Sequence, residues 1–268
     1  MNILTFDIED WFHTHENRKY LSGQIWKDLP ARIEPNTDRI LNMLDELGIK
    51  ATFFVLGWVA EHHPKLVKRI QSEGHEIGAH SHWHHNAHLL RPDDFEKDLV
   101  MCLSRLTDIT GEPVTAYRAP GFSLRLKDRW AFDIMAANGI KVDSSIQVYG
   151  NRNAIPMIIE AGDSQIIEFP LVKSTLGFPY SGGGYFRAMP KPLLNYYFKE
   201  EKYRLLYFHP RDFDPGNPYS NMFSLFRNKL NNINTKVCMN RLRNILNNQD
   251  SITMGEAVDK YLSSKTYD

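Results

Sequence analysis

The chain has 268 residues, 42% apolar and 24% charged, with 32 lysines and arginines against 32 aspartates and glutamates. That is the composition of a globular protein large enough to bury a sizeable core, and a net charge of zero argues against nucleic acid as the main partner. Cys102 and Cys238 form no CxxC pair, which argues against a disulfide framework or a cysteine-ligated zinc. The longest apolar-rich run, 51–60, falls far short of the ~20 residues of a membrane helix, so no transmembrane segment is expected. The opening MNILTFDIEDW lacks the basic and apolar regions of a signal peptide, and a cytoplasmic location is expected.

In chain order, residues 2–6 read as a strand. Residues 35–47 carry helical apolar spacing at Ile40, Leu41, Leu44 and Leu47, with Gly48 as the stop. ATFFVL at 51–56 is a strand, and 64–70 form a helix opened by Pro64. Residues 76–79 read as a strand leading into a histidine cluster, and 92–109 as a helix. Strands at 114–117, 141–142, 166–169 and 204–208 follow, with a helix at 129–138. The Asn-rich stretch 228–248 reads as one polar-faced surface helix. Strand and helix in alternation imply parallel pairing, so the expected fold is α/β, a doubly wound sheet or a β/α barrel, in one domain.

Asp7, His80, Arg118 and His209 each stand at, or one residue after, the C-terminal end of a predicted strand. Parallel β/α folds place those ends on one face and keep their active sites there. Five of the eleven histidines lie between His80 and His88. His80 and His84 are four apart, a spacing that in a helical turn brings two imidazoles to one divalent ion. Asp7-Ile8-Glu9-Asp10 supplies three carboxylates within four residues, enough for a metal ligand and a general base, although such clusters also cap ordinary turns. Either Glu9 or Asp10 can be the ligand: a strand that continues past Asp7 favours Glu9, a turn right after it favours Asp10. Gly182-Gly183-Gly184 lacks the Lys-Ser/Thr of a P-loop and reads as a tight loop beside the substrate.

Phe6-Asp7, His80-Ser81-x-x-His84, Arg118-Ala119-Pro120-Gly121 and Leu206-Tyr207-Phe208-His209-Pro210 resemble, in order, the motifs of the polysaccharide deacetylase (NodB-homology, carbohydrate esterase family four) family. FDIEDWFH, SGGGYFR and FHPRDFDP further resemble its bacterial exopolysaccharide and surface-polysaccharide branch. The resemblance implies a distorted (β/α) barrel of about seven parallel strands over residues 1–268, with 215–268 as a helical extension. It implies one divalent ion, zinc expected, held by His80, His84 and Glu9 or Asp10. By the same resemblance Asp7 is the base, His209 the acid, and Arg118 orients Asp7 through a charge-assisted pair, bidentate or single. Trp11, His13, Pro120, Gly121, Tyr185 and Arg187 are expected to contact substrate. The family places two adjacent aspartates first, whereas here Ile8 follows Asp7. The carboxylate supporting His209 stays open among Asp143, Asp212 and Asp214. The activity implied is removal of an N-acyl group from an N-acylated saccharide, nucleotide- or lipid-linked if the protein is cytoplasmic. Alternatives are a deformylase or O-deacetylase on a sugar, a non-catalytic carbohydrate-binding protein, and a two-ion phosphoesterase, for which the ligands are too few.

Overall fold

The computed structural model describes residues 2–14, 23–149, 156–173, 181–198 and 204–265. In chain order its elements are β1 (Asn2–Ile8), α1 (Gly23–Trp26), α2 (Ile33–Leu47), β2 (Thr52–Val55), α3 (Gly57–His62), α4 (Pro64–Ser72), β3 (Glu76–Ala79), α5 (Pro92–Thr110), β4 (Ala116–Tyr117), α6 (Arg129–Ala137) and β5 (Val142–Asp143). Then come β6 (Gln147–Tyr149), β7 (Met157–Ala161), β8 (Ser164–Glu168), β9 (Leu171–Lys173), α7 (Gly183–Ala188), α8 (Lys191–Phe198), β10 (Arg204–Phe208), α9 (Leu225–Asn232), α10 (Thr235–Leu246), β11 (Ser251–Ile252) and α11 (Met254–Lys265).

The main sheet runs β10-β1-β2-β3-β4-β5-β8-β7. Seven of these strands are parallel, and β7 joins the edge antiparallel to β8. The sheet curls into a half-barrel, and the chain forms one α/β domain. β6 and β9 make a separate parallel pair, with β9 packed against β10. Ala161 pairs with Ser164 across Gly162-Asp163, and Gly162 has φ +56°, so β7 and β8 form a tight hairpin. The sequence reading passed over β7, although Gly-Asp between two apolar runs carried its signal. The stretch 228–248 is two helices, not one: Asn234 at φ +53° breaks it between α9 and α10. β11 pairs with the start of β1, so the last fifty residues are stitched into the sheet rather than purely helical.

Alternation along the strands decides what each face carries. Leu4, Phe6 and Ile8 point outward, toward the core beneath the helices that also holds Phe53, Val55, Leu206 and Phe208. Ile3, Phe54, Leu205, Phe169 and Val142 line the inner side of the curl. Thr5 and Asp7 lie on the same side as Ile3, as Tyr207 lies on that of Leu205. The concave side is therefore apolar at its floor and turns polar toward the C-terminal strand ends. Parallel strands covered on both faces have no solvated side, which is why all seven residues of β1 are buried.

Candidate metal and active site

Arg118 is the centre of the polar end of the curl. It leaves β4 with a fully buried side chain, and a buried guanidinium is tolerated only when its donors are matched. Its Nη1 donates to Asp7 Oδ1 at 2.7 Å and to Thr5 Oγ1 at 2.8 Å. Its Nε and Nη2 donate to the carbonyl and hydroxyl of Ser144 at 3.3 and 3.1 Å. Phe54 and Phe122 cover its two faces, with centroids 4.1 and 4.9 Å from Cζ. Of the two forms open to the pair with Asp7, the single-nitrogen one is present, because Ser144 takes the rest of the fork. Gly78 makes room for Phe54, since a Cβ there would sit 2.6 Å from its ring.

Glu9, His80 and His84 are buried, and one donor atom of each lies within 4.8 Å of the other two. β1 continues through Ile8, so Glu9 stays on the side of Asp7. The His80 Nδ1–H donates to the Arg118 carbonyl at 2.8 Å, which leaves Nε2 with its lone pair toward the cluster. Burial pulls the His80 pKa down to about 4 against the pull of Asp7, so its ring is neutral near pH 7. Burial raises the Glu9 carboxyl, but His84, Arg211 and His209 outweigh it and hold the group well below the usual range. Glu9 Oε2 touches His84 Nε2. A carboxylate, a neutral imidazole and a second imidazole around one buried point suit a divalent cation of the zinc type.

The histidine pair does not occupy a helical turn. Ser81 at φ +63° and His84 at φ +57° fold residues 80–86 into an irregular loop, a conformation that non-glycine residues take at some cost. Asp98 holds the loop, accepting the His82 and Trp83 N–H groups at 2.9 Å each. Gly57 and Trp58 donate to the carbonyls of Ser81 and His82.

Asp10 lies apart from the three donors. Its carboxylate accepts the N–H groups of Trp11, Arg32 and Ile33 at 2.7, 2.7 and 3.0 Å, satisfying donors at the start of α2. This corrects Asp10 as a candidate ligand: its oxygens are spent on backbone. Trp11 is buried, and its Nε1–H donates to the Pro30 carbonyl. Pro120 is buried beside the cleft without lining it. Arg187 is buried behind His209, donating to the carbonyls of Gly183, Asn231 and Ile233. These three therefore hold the walls and do not line the cleft.

His209 follows β10. Its Nε2 is 4.0 Å from Asp7 Oδ2 and 3.4 Å from Glu9 Oε1. Its Nδ1 faces Asp212 Oδ2 at 3.1 Å, and its backbone N–H donates to the same oxygen at 2.8 Å. Asp212, not Asp143 or Asp214, is thus the carboxylate beside His209. Burial raises the Asp212 carboxyl, but His209, Arg187 and Arg211 overcome this and bring it down to about 2. Asp143 instead meets Ser145 and Glu168, and burial pushes both carboxyls up, Glu168 well up. Asp214 binds Arg32 and Asn36. The glycine run explains itself here: a Cβ on Gly183 would fall 1.7 Å from the Asp212 carboxylate, and one on Gly182 2.2 Å from the Tyr207 hydroxyl. Gly183 and Gly184 open α7 instead of forming a loop.

The cleft above these groups encloses about 300 Å³ and is lined by Asp7, Glu9, His13, His80, His84, Gly121, Tyr185, Tyr207, His209 and Arg211, among others. The Arg211 Nη2 lies 2.8 Å from Glu9 Oε1, a contact that the sequence reading did not single out. The signal was Arg211 within two residues of the expected acid. His13 is fully buried. Its Nδ1 accepts the Asp10 N–H at 2.8 Å, and burial holds its pKa well below normal.

Comparison with known proteins fits this geometry. Residues 142–259 match a domain of unknown function, DUF3473. A peptidoglycan-N-acetylglucosamine deacetylase of Bacillus cereus is 36% identical over 96 residues, 35% of either chain. A peptidoglycan-N-acetylmuramic acid deacetylase of Bacillus subtilis is 32% identical over 84 residues, 31% of this chain and 32% of that one. A chitin deacetylase of Pestalotiopsis is 33% identical over 90 residues, 32% and 30% of the two. The chain spans about a third of the length of these curated relatives. The fold is shared with a Mycobacterium smegmatis protein assigned to the polysaccharide deacetylases, at TM-score 0.68, 20% identity, and 98% and 90% coverage of the two chains. A family 4 carbohydrate esterase of Streptomyces lividans follows at TM-score 0.53, 14% identity, and 94% and 90% coverage. Residues 4–142, just over half of the chain, match the family described as Polysaccharide deacetylase, and the chain belongs to that family.

Proposed function

We propose that this protein is a metal-dependent hydrolase that removes the N-acetyl group from an N-acetylated sugar of a polysaccharide. The observation that carries the reading is the meeting, in one cleft, of the Glu9–His80–His84 donors with an Arg118-held Asp7 and an Asp212-held His209. The names of the relatives, which act on peptidoglycan and chitin, supply the substrate class.

Glu9, His80 and His84 would hold the cation, zinc by the character of the donors. A divalent ion there supplies polarisation of the acyl carbonyl and acidification of a water. Asp7, fixed by the Arg118 Nη1, accepts the proton of the attacking water. His209 donates from Nε2 to the departing sugar nitrogen, and the ionised Asp212 on Nδ1 stabilises the imidazolium that precedes this transfer. An amide needs both halves, because its nitrogen leaves poorly unless protonated. Tyr185 and Gly121 line the cleft where a sugar ring would sit.

The test is elemental analysis combined with acetate release from N-acetylated glycans. About one divalent ion per chain is expected. Glu9→Gln should lose both ion and turnover, whereas Asp10→Asn should keep the ion. Formate or an O-linked product in place of amide-derived acetate would move the reaction to the deformylase or O-deacetylase alternative. Undiminished turnover in the presence of chelator, with no ion in the protein, would end the proposal.

A further inference from the structure

The two oxygens of Glu9 have different neighbours. Oε2 turns to His84, inside the group of three donors. Oε1 lies 2.8 Å from the Arg211 Nη2, with His209 Nε2 farther off at 3.4 Å. A carboxylate can take a divalent cation through one oxygen or through both. Nothing in the Glu9 side chain itself chooses between the two modes, so the choice falls to whatever holds Oε1.

Arg211 stands in the turn Pro210–Phe213 after β10 and reaches across to the segment that follows β1. Its Nη1 donates to the His13 carbonyl at 3.5 Å, so both terminal nitrogens face residues 9–13. A guanidinium is a planar fork, and two anchors on one short segment fix its direction. Arg211 lines the cleft, yet those nitrogens are engaged with Glu9 and His13. That commitment favours work on the Glu9 carboxylate over direct contact with a sugar. The guanidinium also repels a divalent cation, so the arrangement helps binding only if orientation outweighs repulsion. Hydrogen-bonded partners of metal ligands do contribute, on balance, roughly 10- to 100-fold in affinity.

We infer that Arg211 is a positioning residue of the metal site, holding Glu9 Oε1 so that Oε2 alone is presented to the cation. The inference rests on the metal-dependent reading of the cleft. Its consequence is that Glu9 supplies one donor atom, not two. A catalytic cation keeps a position open beside its protein ligands, and a second Glu9 oxygen would fill it.

Wild type, Arg211→Met and Arg211→Lys are compared in three measurements. These are zinc titration against a competing chelator, the visible spectrum of the cobalt-loaded protein, and the melting temperature. Arg211→Met should bind zinc roughly 10- to 100-fold more weakly. Its cobalt bands should also lose intensity, since a second Glu9 oxygen raises the coordination number. Arg211→Lys should recover much of the affinity and the wild-type bands, because the contact with Glu9 uses a single nitrogen. Wild-type affinity and bands in Arg211→Met overturn the inference. Weaker binding with a lowered melting temperature and unchanged bands also overturns it, leaving Arg211 as a clamp of the fold. A wild type that takes up neither zinc nor cobalt brings down the metal-dependent reading itself, and the inference with it.

Discussion

Replacing Asp212 by asparagine removes one negative charge from behind His209 while keeping shape and hydrogen-bonding atoms. The native carboxyl lies at about 2 against an ordinary 3.8, a difference of about 2 kcal/mol. Because Asp212 is buried, solvent screening takes little from that figure. Its partners are His209 at 3.1 Å and the Arg187 Nη2 at 3.3 Å, so the His209 share is the larger but not the whole. Losing it should remove about 1–2 kcal/mol of charge-assisted pairing between Asp212 and the His209 ring. Turnover at neutral pH should fall roughly 10²-fold, since the asparagine also loses the charge-assisted bond that sets the ring. The assay is acetate release between pH 5 and 9, with metal content and melting temperature as controls. A lower rate accompanied by lost metal and a lowered melting temperature would mean that Asp212 only supports the fold. Wild-type rates would remove Asp212 from the mechanism and with it the case for His209 as the acid.

Arg118→Lys should lose turnover roughly 10²-fold and stability by about 1–3 kcal/mol, because one ammonium cannot serve Asp7, Thr5 and Ser144 together. Urea denaturation and acetate release check this, and wild-type values in both would contradict the account of the buried fork. The metal-free protein should lose stability as pH falls from 7 to 5. His75 and His80 are both pulled to about 4 by burial, so the unfolded chain takes up protons near pH 6.5 that the fold refuses. At pH 5 that costs about 2 kcal/mol per histidine. Asp212, depressed instead of raised, contributes fully above about pH 4 and loses that contribution only between about pH 4 and 2, so it does not confuse the measurement. Glu168, pushed well up by burial, works in the opposite direction over the same range, so the check is His75→Gln: the variant should lose less stability than the wild type between pH 7 and 5, and an equal loss would show that the His75 ring is solvated.

The sequence by itself determined the frame. Alternating strands and helices require a parallel sheet, parallel strands put their C-terminal ends on one side, and Asp7, His80, Arg118 and His209 each carried the mark of such an end. Those are local properties, set by side-chain period and by turn chemistry within a few residues. What local pattern could not decide was how loop residues share their hydrogen-bonding atoms. Glu9 and Asp10 are adjacent and chemically alike. They part because β1 runs on through Ile8, and because the α2 amide groups of a segment twenty residues later claim the Asp10 oxygens. The His80–His84 spacing suggested a helix, yet Asp98, sixteen residues after His82, holds it as a loop with two left-handed residues. Arg118 looked like a partner for Asp7 alone until Ser144, beyond β5, took half of its fork. Asp143, Asp212 and Asp214 were equal claimants for His209, and the turn over 210–213, which folds the Asp212 carboxylate back onto the His209 N–H, set Asp212 beside it. Contacts between distant segments depend on the register and curl of the whole sheet, which no window of sequence contains.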